Sequence, residues 1–414
     1  MSDRPSSLRR WLRRYSLTLV AALGGAAGVA YATAHHVGTS SPPAHAGTGA
    51  VTATVVAEPD RPAEPPRDSV QDTVQIAILL DTSSSMNGLI NQARSQLWSM
   101  VDEMGKATRV VDGKLRGARV ELALYEYGHS AVPASAGYIR QVLPLTGDLD
   151  RVSEELHRLT TSGGAEYAGQ AIQTAVESLQ WSSDPAALRF IYVAGNESFE
   201  QGPISATHAM ATARAKDISV QLIHCGASEP TWAAAANLAQ TDLLTIDHNH
   251  VARHIPAPQD DEILRLGAQL NDTYIAYGAG GAVAQARQKT ADSSSAKLSP
   301  KVALERAQLK RKAAYRNDSW DVVDARDQDK KFLEKTADDQ LPSELRGKSL
   351  EEKQRIVDGK AAERAAIKAK IAKLEADRNA FLAKEQAKQP EVKSLGSEVT
   401  KSSKSMAAKK GYKF

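Results

Sequence analysis

From residue 74 to residue 246 the chain alternates between two patterns. Short, nearly unbroken apolar blocks at Val74–Leu80, Val120–Tyr125, Phe190–Ala194, Val220–His224 and Leu243–Ile246 predict strands buried on both faces. Between them apolar residues return every three or four positions, which predicts helices. The first carries Leu89, Ile90, Ala93, Leu97, Met100, Val101 and Met104; others follow at Asp150–Leu159, Tyr167–Leu179, Ser205–Lys216 and Thr231–Ala239. Strands alternating with such helices imply an α/β fold with a doubly wound, mostly parallel sheet covered on both faces. Ligands in such sheets bind beyond the carboxyl ends of the strands, so the loops after Leu80, Ala194 and His224 are where chemistry is expected.

The two ends follow other patterns. Ser16–Ala34 is an uncharged run rich in Leu, Val and Ala, preceded by Arg4, Arg9, Arg10, Arg13 and Arg14 and closed by Ala32-Thr33-Ala34. A basic flank before an apolar run predicts export, with residues 1–34 acting as a cleaved signal peptide or an uncleaved membrane anchor. Residues 35–72, interrupted by Pro42, Pro43, Pro59, Pro62, Pro65 and Pro66, read as an extended linker. The folded core is expected over 73–256. A helical extension is expected over 257–390, with helices at Glu262–Tyr277, Val302–Ala314 and Leu350–Lys388. In the last of these, Ile367, Ile371, Leu374 and Phe381 fall at coiled-coil-like spacing until Arg378 interrupts them, so a helical hairpin packed on itself or on the core is expected. Residues 391–414 read as a basic, disordered tail whose charge either serves solubility or touches anionic lipid or envelope polymer.

Composition narrows the function classes. At 414 residues with 42% hydrophobic and 24% charged residues, the chain is globular and of two or three domains, neither disordered throughout nor a multi-span membrane protein. Its single cysteine, Cys225, excludes an internal disulfide and a cysteine-built zinc site, and reads as a buried structural residue. Aromatic residues at 5% leave little for a base-stacking surface, so no nucleic acid is expected as a partner. The net charge of +3 conceals a split: about +4 over residues 1–34, about −11 over 35–296 and about +10 over 297–414.

The strongest chemical signal is Asp81-Thr82-Ser83-Ser84-Ser85, a D-x-S-x-S run between an apolar strand and an amphipathic helix. One carboxylate and two hydroxyls in a tight turn are hard oxygen donors, suited to Mg²⁺, Mn²⁺ or Ca²⁺. A serine-rich helix cap is the other account of the same residues. Elsewhere His248, His250 and His254 have a spacing open to zinc, although a polar surface loop explains them as well. No glycine-flanked nucleophile and no phosphate-cradling G-x-x-x-x-G-K run occurs, so an enzyme is not expected.

With this motif in place the chain resembles the von Willebrand factor A (vWA) domain family, which carries D-x-S-x-S after its first strand as part of a metal-ion-dependent adhesion site. The resemblance spans about residues 72–255. It implies a Rossmann-like, doubly wound sheet and divalent-ion-assisted binding of a protein ligand. The family adds a threonine from a second loop and an aspartate after a later strand, and this chain departs at both. Its second loop reads Thr160-Thr161-Ser162-Gly163-Gly164-Ala165-Glu166-Tyr167, leaving Ala165 or Glu166 at the threonine position. After the later strand stands Ala194-Gly195-Asn196-Glu197, with Gly195 in place of the aspartate. The departures resemble a narrower group of exported bacterial proteins with G-G-x-E-Y, A-G-N-E-x-F-x-Q-G-P and H-C-G segments, and the likeness continues weakly into Asp318-Ser319-Trp320-Asp321. Beside Asp81, Ser83 and Ser85, the candidate ion ligands are therefore Glu166, Thr161, Asn196 and Glu197. Glu166 also has a purely structural reading, as an acid steadying the first turn of the next helix. Two roles follow: an exported binding module whose ion grips a protein ligand, or a structural envelope protein with a degenerate ion site whose helices carry the interaction.

Export is directly measurable. A reporter active only outside the cytoplasm, fused after Pro66, is expected to be active; activity confined to the cytoplasm would remove the reading.

Overall fold

In a computed structural model of the chain, residues 72–87, 90–226, 229–246, 254–386 and 395–414 are described. The expected targeting segment and linker, and His248 and His250, lie outside them. Among the described residues no helix is long and apolar enough to cross a membrane.

The strands are β1 (Asp72–Asp81), β2 (Thr108–Val111), β3 (Lys114–Tyr127), β4 (Ile139–Thr146), β5 (Leu188–Gly195), β6 (Ser219–Cys225) and β7 (Leu243–Ile246). Their order across the sheet is β2-β3-β1-β5-β6-β7, with β4 also on the outer edge of β3. β1, β3, β5, β6 and β7 run parallel, whereas β2 and β4 are antiparallel to β3. The doubly wound α/β expectation is met. The two antiparallel strands are additions that the apolar pattern did not mark, because β2 is half-exposed and β4 alternates polar with apolar residues.

Five helices accompany the strands: α1 (Ile90–Gly105), α2 (Leu149–Arg158), α3 (Ala168–Ser178), α4 (Ala206–Ala215) and α5 (Pro230–Ala239). Their starts are locally encoded. The Asp148 side chain accepts from the Arg151 amide, the Ser205 side chain from the His208 amide, and the Glu229 carboxylate from Thr231 with Pro230 in the first turn. Because β1 alternates its side chains between faces, Val74, Ile76 and Leu80 pack with Leu97, Trp98, Val101 and Leu156. Ala77 and Leu79 pack oppositely with Ile172, Val176, Met210 and Trp232.

Among the described residues seven more helices follow: α6 (Asp260–Leu270), α7 (Gly281–Leu298), α8 (Pro300–Lys310), α9 (Val322–Gln328), α10 (Phe332–Lys335), α11 (Leu350–Gln386) and α12 (Leu395–Ala408). They are not a separate attachment. Tyr274, Ala284, Ala291, Val302, Leu309, Tyr315 and Trp320 join the core on the α1 face of the sheet. The long α11 packs Ile367 and Ile371 against Ile263, Leu266, Leu270 and Leu304 of the extension. Its buried Arg364 donates to Asp321 and Asp324 and lies 3.9 Å from the centre of the Tyr274 ring. Arg378, the residue that breaks the heptads, pairs with Asp260.

The expected disordered tail is corrected. Residues 395–408 form α12, and the chain ends in an antiparallel bridge between Thr108 and Lys413, each amide donating to the other's carbonyl at 2.8 Å. Ala407 and Tyr412 are buried in the sheet core, and Ser403 meets the Tyr192 hydroxyl. The lysine-rich composition hid this, because Lys404 and Lys410 pair with Glu103 and Asp217 of the core.

Where the extension meets the sheet domain, Arg306 is 1% exposed and binds Asp150 at 2.6 Å and Asp292 at 2.9 Å, stacked between Trp98 and Tyr315. Arg306→Ala strands Asp150 without its cation inside the protein. A loss of about 3–5 kcal/mol is expected in urea unfolding followed by tryptophan fluorescence. A loss below about 1 kcal/mol would show that the pair does not hold the extension in place.

Candidate functional site

β1 lies between β3, the next parallel strand in sequence, and β5, so the winding of the sheet reverses at β1 and its carboxyl end opens into the crevice where such sheets bind ligands. Asp81 ends that strand and is fully buried. Its Oδ1 accepts the Ser83 amide at 2.7 Å, which closes the turn. The Ser83 and Ser85 hydroxyls are 2.7 Å apart, and Ser85 donates onward to Asn196 Oδ1 at 3.1 Å. Thr82 braces the loop: its amide donates to Tyr127 O, and its carbonyl accepts from Ser162 of the second loop. The D-x-S-x-S run is thus fixed by both neighbouring loops through its backbone.

Glu166 comes in from the second loop. It is 4% exposed, and its carboxyl lies within hydrogen-bonding reach of Asp81 and Ser83. It does not cap α3, whose first turn has no side-chain cap. Its amide donates to Gln201 Oε1, and Gln201 in turn donates to Glu197 at 2.8 Å. Asp81 Oδ2 is buried and has no hydrogen-bond partner among the described residues. Burial pushes the Asp81 carboxyl above its usual range. Glu166 is pushed up to about 9, first by burial, then by the charge of Asp81 beside it, with Glu197 adding in the same direction.

Of the sequence candidates, Asp81, Ser83, Ser85, Glu166 and Asn196 therefore meet. Glu197 is exposed at the rim and acts on the pair through its charge. Thr161 hydrogen-bonds to none of them among the described residues. The side chains present are carboxylate, hydroxyl and amide oxygens, the donor types of a hard divalent ion. Among the described residues no three His, Cys, Asp or Glu side chains converge, so an ion there would rest on two carboxylates and hydroxyls. His254 pairs with Asp260 at 3.3 Å.

Sequence reading missed two residues that shape the site. Gly128, at φ +79°, follows β3; a Cβ there would lie 2.9 Å from Asp81 Oδ1 and 3.0 Å from Glu166 Cγ. Only a residue without a side chain lets the two acids approach. Gln201 fixes the second loop, and its signal was the quoted Q-G-P segment, to which no role had been attached. Gly195 has its own constraint: a Cβ would fall 2.4 Å from the Tyr127 hydroxyl, which donates to Ala194 O. An aspartate at Gly195 therefore has no space, and the second acid arrives from the opposite loop instead. Cys225 is buried, its thiol pushed up to about 12 by burial, as expected of a structural residue.

With this geometry, residues 75–254 match the family description of the von Willebrand factor type A domain. Residues 75–254 form a vWA domain. A bacterial BatB protein from Bacteroides thetaiotaomicron is similar at 18% identity and a TM-score of 0.33, over 42% of this chain and 90% of that one. Proximal thread matrix protein 1 from the mussel byssus, solved with zinc in its adhesion-site motif, is similar at 12% identity and a TM-score of 0.34, over 44% and 43%. A vWA protein from Catenulispora acidiphila is similar at 16% and 0.33, over 42% and 39%. The chain thus spans under half of the last two. No curated protein matches the chain significantly.

In the ion-free chain Glu166 keeps its proton up to about pH 9, whereas the unfolded chain releases it near 4.5. Its contribution to stability is complete below about pH 4.5 and is lost as pH rises toward and through about 9. In chelator, the melting temperature of the vWA domain is expected to fall across that window, and Glu166→Gln to flatten the fall. A wild-type profile without slope would contradict the shared-proton arrangement.

Proposed function

We propose that the vWA domain holds a hard divalent cation, Mg²⁺ foremost with Mn²⁺ and Ca²⁺ as substitutes, and uses it to bind a protein ligand outside the cytoplasm. Asp81, Ser83, Ser85 and Glu166 would hold the ion, with Asn196 and Glu197 at its edge. The observation that carries this reading is the buried Asp81 carboxyl, whose Oδ2 meets no ordinary hydrogen-bond donor among the described residues and which lies against a second buried acid, Glu166. A buried carboxylate oxygen in that condition calls for a proton or a cation. The cation would supply a positive centre that attracts an acidic group of the ligand. Compared with a single-carboxylate site, the second acid strengthens retention of the ion and weakens its pull on an outside carboxylate. The role is binding rather than catalysis, given the missing nucleophile and phosphate-loop motifs. Export rests on the basic flank and apolar run of residues 1–34.

A second reading, a structural envelope protein whose helices carry the interaction, is favoured by the lack of any third converging acid or histidine among the described residues. Partner binding that survives chelation would select it.

Calorimetry of the full chain tests the ion. Asp81→Ala is expected to abolish Mg²⁺ and Mn²⁺ binding while changing ion-free stability by roughly 1 kcal/mol, since loss of the turn bond from the Ser83 amide is offset by removing a buried acid from beside Glu166. Glu166→Gln is expected to weaken binding clearly. Ion binding by Asp81→Ala equal to that of wild type would sink the proposal.

A further inference from the structure

The third loop of the site, Asn196 to Pro203, carries Asn196, Glu197 and Gln201 but contains no helix or strand. Its own backbone bond, from the Gln201 amide to the Ser198 carbonyl, is 3.4 Å long. Firmer anchors come from β6 and α5. The Trp232 indole Nε1 donates to the Glu197 carbonyl at 2.6 Å, and His224 Nε2 donates to the Asn196 carbonyl at 3.3 Å. The Phe199 amide donates to Thr231 Oγ1 at 2.8 Å. Trp232 joins these anchors together. It is 1% exposed, and its ring stands edge-on to Phe199 at 5.2 Å and to His224 at 5.6 Å between centres. The Glu229 carboxylate in turn accepts the Thr231 amide at 2.9 Å and the Trp232 amide at 3.3 Å, which seats the first turn of α5. An indole has one N–H donor and no acceptor, so a buried indole bonded to a carbonyl fixes where that carbonyl points. On its other side the loop reaches both earlier loops. Asn196 Oδ1 accepts from Ser85 at 3.1 Å, and Gln201 Oε1 accepts the Glu166 amide at 3.2 Å.

We infer that Trp232, with Thr231 beside it, is a positioning residue of the ion site. By holding the backbone of the third loop from behind, the start of α5 sets where Asn196 meets Ser85 and where Gln201 meets Glu166. Trp232 itself hydrogen-bonds to no candidate ion ligand's side chain among the described residues, so it acts through the loop backbone. Groups that orient metal ligands from behind typically change metal affinity by about 10–100-fold when removed. The inference rests on the proposed ion binding, and it adds the origin of the site's geometry: a buried indole on a helix that supplies no ligand.

Trp232→Phe keeps a buried ring and removes the donor; Thr231→Val removes the acceptor of the Phe199 amide and serves if the first variant does not fold. In calorimetry of the full chain, Mn²⁺ affinity is expected to fall about tenfold or more in Trp232→Phe and in the same direction in Thr231→Val. In the double variant Asn196→Ala, Gln201→Ala, which cuts both loop contacts, Trp232→Phe should add less than about twofold. Ile218→Ala opens the same core layer at the amino end of β6, and at an equal loss of melting temperature it should leave Mn²⁺ affinity unchanged. Without any ion, in chelator, deuterium uptake around Glu166 should quicken in Trp232→Phe, and the same substitution should add nothing in a Gln201→Ala background. Wild-type Mn²⁺ affinity in Trp232→Phe, unchanged uptake around Glu166, or an Ile218→Ala variant that matches Trp232→Phe would overturn the positioning role. If the wild type itself binds no Mn²⁺, the ion reading falls and the uptake alone decides the role of Trp232.

Discussion

Two carboxyl groups buried side by side cannot both be charged without help, and the arrangement at the end of β1 follows from that constraint. Asp81 is fixed by the strand and Glu166 by the second loop, with Gly128 permitting their approach. A proton shared between them, or a cation, relieves the repulsion. The surrounding contacts hold this pair in place more than they neutralise it. Thr82 is tied to Tyr127 and Ser162, Ser83 to Asp81, and Gln201 to the backbone of Glu166. The site is built to keep two acids together, and in that sense it differs from a loop that merely caps a helix.

The same helix layer that positions the second loop is gripped by the extension. Arg287 of α7 binds Asp148 and Glu154 of α2, and Arg306 of α8 binds Asp150. From the other side, Arg94 of α1 donates to the Leu156, His157 and Leu159 carbonyls at the end of α2. Glu166 follows seven residues after that point, so the placement of the second acid depends on residues far along the chain as well as on its own loop.

Much of this was legible in the sequence because burial on both faces demands unbroken apolar blocks, as in VQIAILL, and because D-x-S-x-S is a compact local signal. What escaped had other causes. α7 buries Ala284, Gln288, Ala291 and Ser295, small or polar residues that leave no hydropathy signal. α12 buries Ser402, Ser403 and Ala407 for the same reason. The role of Glu166 could be posed from the sequence, but its approach to Asp81 depends on Gly128, some 38 residues earlier in the chain, which no local pattern links to it. The sequence shows Gly195 in place of the family's aspartate without a reason; packing against Tyr127 and Trp232 makes the exchange a steric requirement.

The bridge between Thr108 and Lys413 joins residues 305 positions apart. The part of the α1 face that Ala407 and Tyr412 cover is therefore closed only by contacts between residues far apart in the chain. Closing so long a loop costs entropy before any contact rewards it, and native structure dominated by distant contacts forms slowly. The segment that carries Ala407 and Tyr412 is accordingly a seam, closing one apolar part of the sheet only when residues distant in sequence meet.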